Sequence, residues 1–260
     1  MKQPVNNSHP GKLDKEQTRT MNLSDPKERL IVALDFPAAA PARSFLNHLD
    51  GSCRWLKIGM ELYYAAGNTF LEELHGLGYS IFLDLKLHDI PNTVAGAVDS
   101  VTRTGVSLLT VHAAGGAAML AATAHAAAKA PQAPRLLAVT VLTSMDREQL
   151  AGIGVPSSPA DQVVRLARLA WAAGIRGMVC SAEEVALLRA EFGAEAELVV
   201  PGIRPPGAAR GDQRRIATPS QAIQSGASRL VVGRPITQAA DPQAAVHAIL
   251  DEIATAPSLY

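Results

Sequence analysis

Short apolar runs rich in Val, Ile and Leu recur along most of this chain, and segments with helical spacing separate them. The starts of successive runs lie 20 to 42 residues apart, which leaves room for one helix and two loops between each pair. The runs are almost continuously apolar, a pattern that is typical of strands covered on both faces. The eight runs are Arg29–Leu34, Trp55–Gly59, Ile81–Lys86, Leu108–His112, Arg135–Leu142, Gly177–Ser181, Glu197–Gly202 and Arg229–Arg234.

The segments between the runs predict helices that end near glycine or proline. These predicted helices cover Glu61–Leu77, 91–104, 115–130, Asp161–Ala173 and Ala182–Phe192. Asp241 followed by Pro242 predicts the N-cap and first residue of a final helix. Strands that alternate with helices predict an α/β protein with a single-domain (β/α)8 (TIM) barrel. An open doubly wound sheet is the alternative, but no G-x-G-x-x-G motif follows the first run, where a dinucleotide-binding fold would place it.

The first residues of the chain differ from the rest, because they are polar and show no periodicity. They predict a flexible N-terminal extension at residues 1–27, followed by the barrel as a catalytic domain at residues 28–260. Met21 lies inside this segment and is an alternative candidate for the start of the chain.

Composition excludes several classes of protein. The 260 residues are 48% hydrophobic, so the chain is not a disordered protein. The 24 Lys and Arg balance 24 Asp and Glu, which argues against nucleic acid or an anionic membrane as a partner held by bulk charge. No apolar stretch approaches the roughly 18 residues of a transmembrane helix, and the first residues lack the apolar segment of a secretory signal. Cys53 and Cys180 form no C-x-x-C pair, which fits a cytoplasmic protein.

Two charged residues, Asp84 and Lys86, lie two positions apart in the third run, so a strand directs both to the same face. The neighbouring Leu83, Leu85 and Leu87 occupy the opposite face, which predicts that the charged pair points into the barrel. A structural ion pair is the simpler interpretation, but buried pairs often add little stability. Asp35 and Lys57 at the ends of neighbouring runs enlarge the cluster, and four charges at the carboxyl ends of barrel strands favour a functional site.

A second group of residues predicts an anion site. Arg204 follows the seventh run, and Gly233 and Arg234 follow the eighth. Many barrels hold a phosphate in the loops after strands seven and eight, with backbone N–H groups and cationic side chains. Gly233 would let the backbone approach such a ligand closely. The alternative is that both arginines are ordinary surface cations.

The segment 203–217 (IRPPGAARGDQRRIA) is long for a βα loop, whose usual length is about 2–6 residues. Its Pro, Gly and Arg content predicts a lid over an anionic ligand, and a tolerated insertion is the alternative. A metal site built from Asp84, His88, Asp89 and His112 is disfavoured, because Lys86 between them would repel a cation and the usual ligand spacings do not occur.

The run Asp84–Thr93 (DLKLHDIPNT) closely resembles the D-x-K-x-x-D-I-P-N-T motif of the orotidine 5′-phosphate decarboxylase family. The resemblance continues in the family's order across residues 29–236. Its other segments are Leu34-Asp35, Lys57-Ile58-Gly59, Leu142-Thr143-Ser144, Pro201–Pro205, Gly211–Arg215 and Val232–Ile236. A bare D-x-K-x-x-D also occurs in sugar-phosphate relatives of the same superfamily, whereas the full run with its glutamine loop is strongly specific.

The resemblance implies a homodimer of barrels that uses no metal and no organic cofactor. Its implied activity converts orotidine 5′-monophosphate to UMP and CO2, the last step of de novo pyrimidine nucleotide synthesis. The implied catalytic residues are Lys86, Asp84, Asp89 and Lys57, with Lys86 as the proton donor to C6 of the pyrimidine. The implied substrate-binding residues are Asp35, Lys57 and Asp84, Thr93 in the partner's site, Thr143 and Ser144 at the pyrimidine edge, Arg204, Gly233 and Arg234 at the phosphate, and Gln213 between phosphate and base. The catalytic Asp89 would likewise reach the partner's site.

Two other functions stay open at this point. The first is a Mg²⁺-dependent keto-sugar-phosphate decarboxylase, or an aldolase-like relative, of the same barrel superfamily. The Pro91-Asn92-Thr93 segment together with Gln213 argues against it. The second is a non-catalytic phosphate-binding scaffold, which has no need to bury charges such as those of Asp84 and Lys86.

Overall fold

The computed structural model describes residues 23–130, 132–206 and 216–257. Within these residues, eight parallel strands form a closed barrel in chain order, and the last strand pairs with the first. The strands are β1 (Leu30–Ala33), β2 (Trp55–Gly59), β3 (Ser80–Leu87), β4 (Leu108–His112), β5 (Arg135–Val139), β6 (Gly177–Val179), β7 (Glu197–Val200) and β8 (Arg229–Val232). The predicted (β/α)8 barrel is confirmed, and closure of the sheet excludes the open doubly wound alternative.

Helices connect the strands throughout the part of the chain that the structure describes. They are α1 (Pro26–Arg29), α2 (Ala39–Leu49), α3 (Met60–Gly76), α4 (Pro91–Val101), α5 (Gly116–Lys129), α6 (Arg147–Gly152), α7 (Pro159–Ala172), α8 (Ala182–Phe192), α9 (Pro219–Gln224), α10 (Arg234–Thr237) and α11 (Pro242–Thr255). Asp241 is the N-cap of α11, as predicted, and its carboxylate accepts a hydrogen bond from the Ala244 N–H at 2.9 Å.

Five of the eight predicted strands end one to three residues earlier in the structure, and the ends of β5 and β6 show the reason. The run to Leu142 leaves the sheet after Val139, and a turn closed by the hydrogen bond from Met145 N–H to Leu142 O follows at 2.9 Å. The run to Ser181 leaves the sheet after Val179, because Ser181 serves as the N-cap of α8 in a capping box with Glu184. Capping and turn geometry therefore override the apolar pattern at these two strand ends.

Apolar side chains pack in two layers. The larger core lies between the strands and the surrounding helices. A smaller cluster fills the inside of the barrel and contains Ile31, Ala33, Trp55, Phe82, Leu108, Leu137, Val199 and Val231. Successive side chains of a strand alternate between these two layers, so the inward positions of each strand can be followed to its carboxyl end.

Charged residues close the amino end of the barrel. Arg229 at the start of β8 is 2% exposed, donates from Nε to Glu197 Oε1 at 2.7 Å, and lies 4.1 Å from the ring centroid of Trp55. Arg135 at the start of β5 pairs with the other oxygen of Glu197 at 2.8 Å. Loss of one partner from such a buried pair typically destabilises a protein by about 3–5 kcal/mol. This end of the barrel is therefore occupied by a structural network, and the opposite, carboxyl end carries a second group of ionised side chains.

The expected extension at residues 1–27 falls largely outside the described residues, as does Met21. Pro26 and Lys27 lie in α1, whose N-cap Asp25 accepts a hydrogen bond from the Lys27 N–H at 2.9 Å. Across the three described ranges, no helix combines the length and the apolar character needed to traverse a bilayer.

Candidate active site

The carboxyl half of β3 directs Asp84 and Lys86 into the barrel, on the same face as Phe82 of the inner cluster. Leu83 and Leu87 pack on the opposite face against the outer core. The alternation predicted from the sequence therefore places both charged residues at the mouth of the barrel, where they are only partly exposed.

Four charged side chains form an alternating array at this mouth. Lys86 Nζ lies 2.9 Å from Asp84 Oδ2, and Lys57 Nζ lies 3.8 Å from the same oxygen. Lys57 Nζ also donates to Asp35 Oδ1 at 3.0 Å. The side chains of Lys57 and Asp84 are 13% and 14% exposed, so their interaction is less screened than that of a surface pair. The order Asp35, Lys57, Asp84, Lys86 thus places each inner charge between two charges of opposite sign.

Thr110 on β4 is a member of this site that the sequence analysis missed. Its buried hydroxyl accepts a hydrogen bond from the backbone N–H of Lys86 at 2.8 Å and donates to Asp84 Oδ1 at 3.0 Å. Thr110 lies on the inward face of β4, two residues after Leu108 of the inner cluster. The alternation of β4 could have indicated its direction, but no motif marks a threonine at this position.

Arg204 and Arg234 follow β7 and β8, the two strands after which the sequence predicts an anion site. Arg204 is buried and donates from one guanidinium nitrogen to Ile203 O at 2.9 Å, while Arg234 is exposed at the start of α10. Burial, and then the positive charge of Arg234, lowers the pKa of Arg204 below its ordinary value. An anion bound between the two guanidinium groups would relieve this repulsion.

Gly233 contacts the charged array. A Cβ atom at Gly233 would lie 3.3 Å from Asp35 Oδ2 and 3.5 Å from the Cβ of Ala33. Because the separation from Asp35 Oδ2 is tight, a side chain at this position would press on Asp35. The sequence predicts that Gly233 allows close approach of a ligand, and the structure adds close approach of the Asp35 carboxylate.

The ends of the long segment 203–217 are joined to each other. Ile203 and Ala217 form a parallel bridge, and the Arg204 N–H donates to Ala217 O at 2.9 Å. Residues 207–215, which include the predicted phosphate-and-base ligand Gln213 and most of the predicted lid, lie outside the described residues.

Asp89 and Thr93 lie apart from the four-charge array. Both are exposed at the start of α4, beside Ile90, which is 67% exposed. Asp89 Oδ1 accepts from the Ile90 N–H at 2.6 Å, and within the described ranges its carboxylate forms no ion pair. The structure therefore places these two residues at the molecular surface next to the site and not among its buried charges.

Thr143 and Ser144 lie in the turn between β5 and α6. Thr143 is half-buried and Ser144 is exposed, and the turn precedes the capping box in which Asp146 begins α6. Both residues are thus in a loop at the carboxyl end of the barrel, the end at which the charged array lies.

The histidines near the site stack on each other. The rings of His88 and His112 lie 5.2 Å apart between centroids, and the Ala114 N–H donates to His112 Nδ1 at 3.4 Å. Burial lowers the pKa of His112, and the charges of His88 and Lys86 lower it further. Among the described residues, no group of three or more His, Cys, Asp or Glu has a geometry that could hold a metal ion.

A closed parallel barrel with an ionised array at the carboxyl ends of its strands defines the class of (β/α)8-barrel enzymes. Comparison with known families identifies one family within that class. The model of the family described as "Orotidine 5'-phosphate decarboxylase / HUMPS family" matches residues 28–249. The chain belongs to this family, as the resemblance in the sequence implies.

Curated relatives and a solved structure agree with this assignment. A protein of Halorhodospira halophila named orotidine 5'-phosphate decarboxylase is 54% identical over 228 residues, which cover 88% of this chain and 97% of the relative. A Vibrio cholerae protein of the same name is 50% identical over 232 residues, covering 89% and 98%. The crystal structure of orotidine 5'-phosphate decarboxylase from Lactobacillus acidophilus superimposes with a TM-score of 0.78 at 40% identity, covering 86% of this chain and 98% of that one.

Proposed function

We propose that this chain converts orotidine 5′-monophosphate to UMP and CO2, without a metal or an organic cofactor. The observation that carries the proposal is the placement of Asp84 between the ammonium groups of Lys57 and Lys86, at 3.8 Å and 2.9 Å, in the mouth of the barrel. The naming of the curated relatives supports the same substrate.

The reaction forms a carbanion that must be stabilised electrostatically. When the bond between C6 and the carboxylate breaks, the electron pair stays on C6, in the plane of the ring, where the π-system of a neutral pyrimidine absorbs it poorly. Fixed positive charge close to C6 stabilises this carbanion, and a positioned acid removes it by protonation. The Lys86 ammonium supplies both the charge and the proton that forms the C6–H bond. Neutral Lys86 then regains a proton from solvent, so the reaction consumes one proton for each CO2 released.

The carboxylates act on the ground state and on the ammonium groups. Asp84 forms an ion pair with the Lys86 ammonium at 2.9 Å, which holds the ammonium in place. It also lies against the substrate carboxylate, which it repels until CO2 leaves. Asp35 and Lys57, joined at 3.0 Å, bind the ribose hydroxyls and hold the second ammonium in place.

Substrate recognition divides between the two ends of the nucleotide. Arg204, Gly233 and Arg234 bind the phosphate, and Gln213 links the phosphate to the base. Thr143 and Ser144 bind the pyrimidine edge. The phosphate is remote from the bond that breaks, so its binding energy contributes to turnover by closing residues 203–217 over the site and organising it.

We further propose a homodimer in which each subunit completes the other's site. The exposure of Asp89 and Thr93 and the apolar Ile90 between them support such a contact. In this arrangement Asp89 extends the charged array of the partner, and Thr93 binds the partner's substrate. We place the enzyme in the cytoplasm, which agrees with its two buried cysteines, Cys53 and Cys180, forming no disulfide.

The test is loss of the absorbance of orotidine 5′-monophosphate on mixing with the purified chain in the presence of EDTA. We expect complete conversion to UMP, with one CO2 for each nucleotide, and no conversion by Lys86→Ala. Activity that disappears with EDTA and returns with Mg²⁺ would support the keto-sugar-phosphate type of decarboxylase. Binding of the nucleotide without any turnover would support the non-catalytic scaffold.

A further inference from the structure

Strand β3 carries two more residues than β4 at the height of the active site. Leu83 pairs with Leu109, and the next pair along the two strands joins Leu87 to Val111. Three residues of β3 therefore lie opposite a single residue of β4, which is Thr110. Such a bulge takes backbone groups out of the regular hydrogen-bond ladder and redirects the side chains of the bulged strand.

The bulge holds Lys86 in an uncommon backbone conformation. Its φ is 51°, in the left-handed region that residues with a side chain rarely adopt. A conformation of this kind persists only where the surrounding structure holds it. The Lys86 N–H, which the bulge removes from the ladder, donates instead to Thr110 Oγ1 at 2.8 Å. This hydrogen bond therefore supports the backbone from which the Lys86 ammonium extends.

The same hydroxyl also fixes the direction of the Asp84 carboxylate. Because Thr110 Oγ1 already accepts from the Lys86 N–H, its own proton is available for Asp84 Oδ1, 3.0 Å away. Asp84 Oδ2 is then left to face the ammonium of Lys86 at 2.9 Å. Thr110 is 0% exposed, so water does not compete for either hydrogen bond.

We propose that Thr110 is a positioning residue for the decarboxylation, in that its hydroxyl sets the geometry of Lys86 relative to Asp84. The proposal rests on the proposed function, since both residues act there at the reacting carbon. Without the hydroxyl, the Lys86 backbone can leave the left-handed region and Asp84 can rotate, so the ammonium no longer lies at C6. The phosphate and ribose contacts come from other strands, so substrate binding stays nearly unchanged.

The variant Thr110→Val tests this directly, because valine keeps the branched shape and removes only the hydroxyl. We expect kcat for orotidine 5′-monophosphate to fall by about 100-fold, the effect of a misplacement of roughly 1 Å in a catalytic group, while KM changes little. Thr110→Ser keeps the hydroxyl and should recover most of the lost kcat. Thr140→Val is the matched control: Thr140 is also buried, but its hydroxyl donates to the backbone carbonyl of Val179 at 2.8 Å and not to a charged residue of the site. Its kcat and KM should resemble those of the unmodified chain.

Three results would overturn the positioning role. They are an unchanged kcat in Thr110→Val, an equal loss in Thr110→Ser, and an equal loss in Thr140→Val, which would reflect general disturbance of the barrel. If the unmodified chain does not consume the nucleotide, the proposed function fails. The crystal structure of Thr110→Val then decides whether Thr110 sets the geometry of Lys86 and Asp84. We then expect Lys86 to have left the left-handed region or Asp84 to have turned away from it, and an unchanged geometry at both residues would refute the role of Thr110.

Discussion

Gly59 leaves the space that the Lys57 ammonium occupies. A Cβ atom at Gly59 would lie 3.2 Å from Lys57 Nζ and 3.8 Å from Asp35 Oδ1. Gly59 and Lys57 lie two positions apart on the inward face of β2. A larger residue at position 59 would therefore compete with the lysine side chain for space in the barrel mouth. The lack of a side chain at Gly59 therefore leaves Lys57 room to reach Asp35.

Gly59→Ala is expected to lower kcat with only a small loss of stability. The backbone of Gly59 has φ −86° and ψ 178°, which alanine adopts without strain, so the methyl group acts mainly through contact with Lys57. Gly59 is also the N-cap of α3, where alanine is less favourable than glycine. The ammonium must shift away, which lengthens its hydrogen bond to Asp35, and we expect kcat to fall by up to about tenfold. Steady-state kinetics and thermal unfolding measure the two effects. Gly76→Ala is the control, because a Cβ there meets nothing within 4 Å and kcat should not change.

The phosphate site is tested by comparing two substrates. Arg234→Ala should remove a charge-assisted contact worth about 1.5–3 kcal/mol, and so lower kcat/KM for the nucleotide by about 10- to 150-fold. The orotidine nucleoside has no phosphate, so its kcat/KM should change little. Gln213→Ala should act in the same direction but more weakly, because it removes a neutral amide.

The control for Arg234 is Arg165→Ala, which removes an exposed cation of α7 that donates to Gln162. It should leave both substrates unaffected. Equal losses for nucleotide and nucleoside in Arg234→Ala would show that Arg234 does not bind the phosphate.

Protonation of His112 should destabilise the fold. Burial, followed by the charges of His88 and Lys86, lowers the pKa of His112 below 6.5. Between the lowered value and 6.5, the unfolded chain binds more protons at this residue than the folded chain does. The stability that neutral His112 contributes is therefore complete above pH 6.5 and is lost as the pH falls.

Urea unfolding at pH 7 and at about pH 5.5 measures this effect. The unmodified chain should lose more free energy of unfolding over that interval than His112→Gln, whose side chain does not titrate. His125→Gln, a change of an exposed histidine on α5, should keep the full pH dependence. If His112→Gln also keeps it, another group titrates over this range.

The sequence is informative wherever one local pattern decides the structure. Continuous apolar runs identify all eight strands, and period-two alternation in β3 directs Asp84 and Lys86 into the barrel. Long-range contacts decide the features that the sequence analysis missed. The hydroxyl of Thr110 matters only because a bulge 24 residues earlier brings Lys86 to it, and Gly59 matters because of where the Lys57 side chain ends.

The helices also divide into those that a local pattern predicts and those that depend on packing. The long segments that became α3 and α7 have the apolar periodicity of a covered helix. Helix α2 was not among the helices predicted from the sequence, although a helix follows most strands of such a barrel. No side chain caps its N-terminus at Ala38, so the usual start signal is missing and packing against the barrel determines its formation.

The shared site can be tested by exchange of subunits. If Asp89 serves the partner's barrel, Lys86→Ala and Asp89→Ala homodimers should each be nearly inactive, because every site in either dimer lacks one of the two residues. Mixed and allowed to exchange, they form heterodimers in which one site has both residues intact and the other has neither. Activity should then rise towards one quarter of that of the unmodified enzyme, since about half of the dimers are mixed and each mixed dimer has one complete site.

Exchange itself must be measured independently, by mass spectrometry of differently labelled subunits. A mixture of Lys86→Ala with Lys86→Ala/Asp89→Ala is the matched control, because no combination of these chains restores Lys86 and activity should stay absent. Proven exchange without recovery would mean that Asp89 acts within its own chain. Asp89 is exposed and forms no ion pair among the described residues, which argues for recovery of activity on exchange. A carboxylate that contributed to the array of its own chain would lie beside Lys86, as Asp84 does at 2.9 Å.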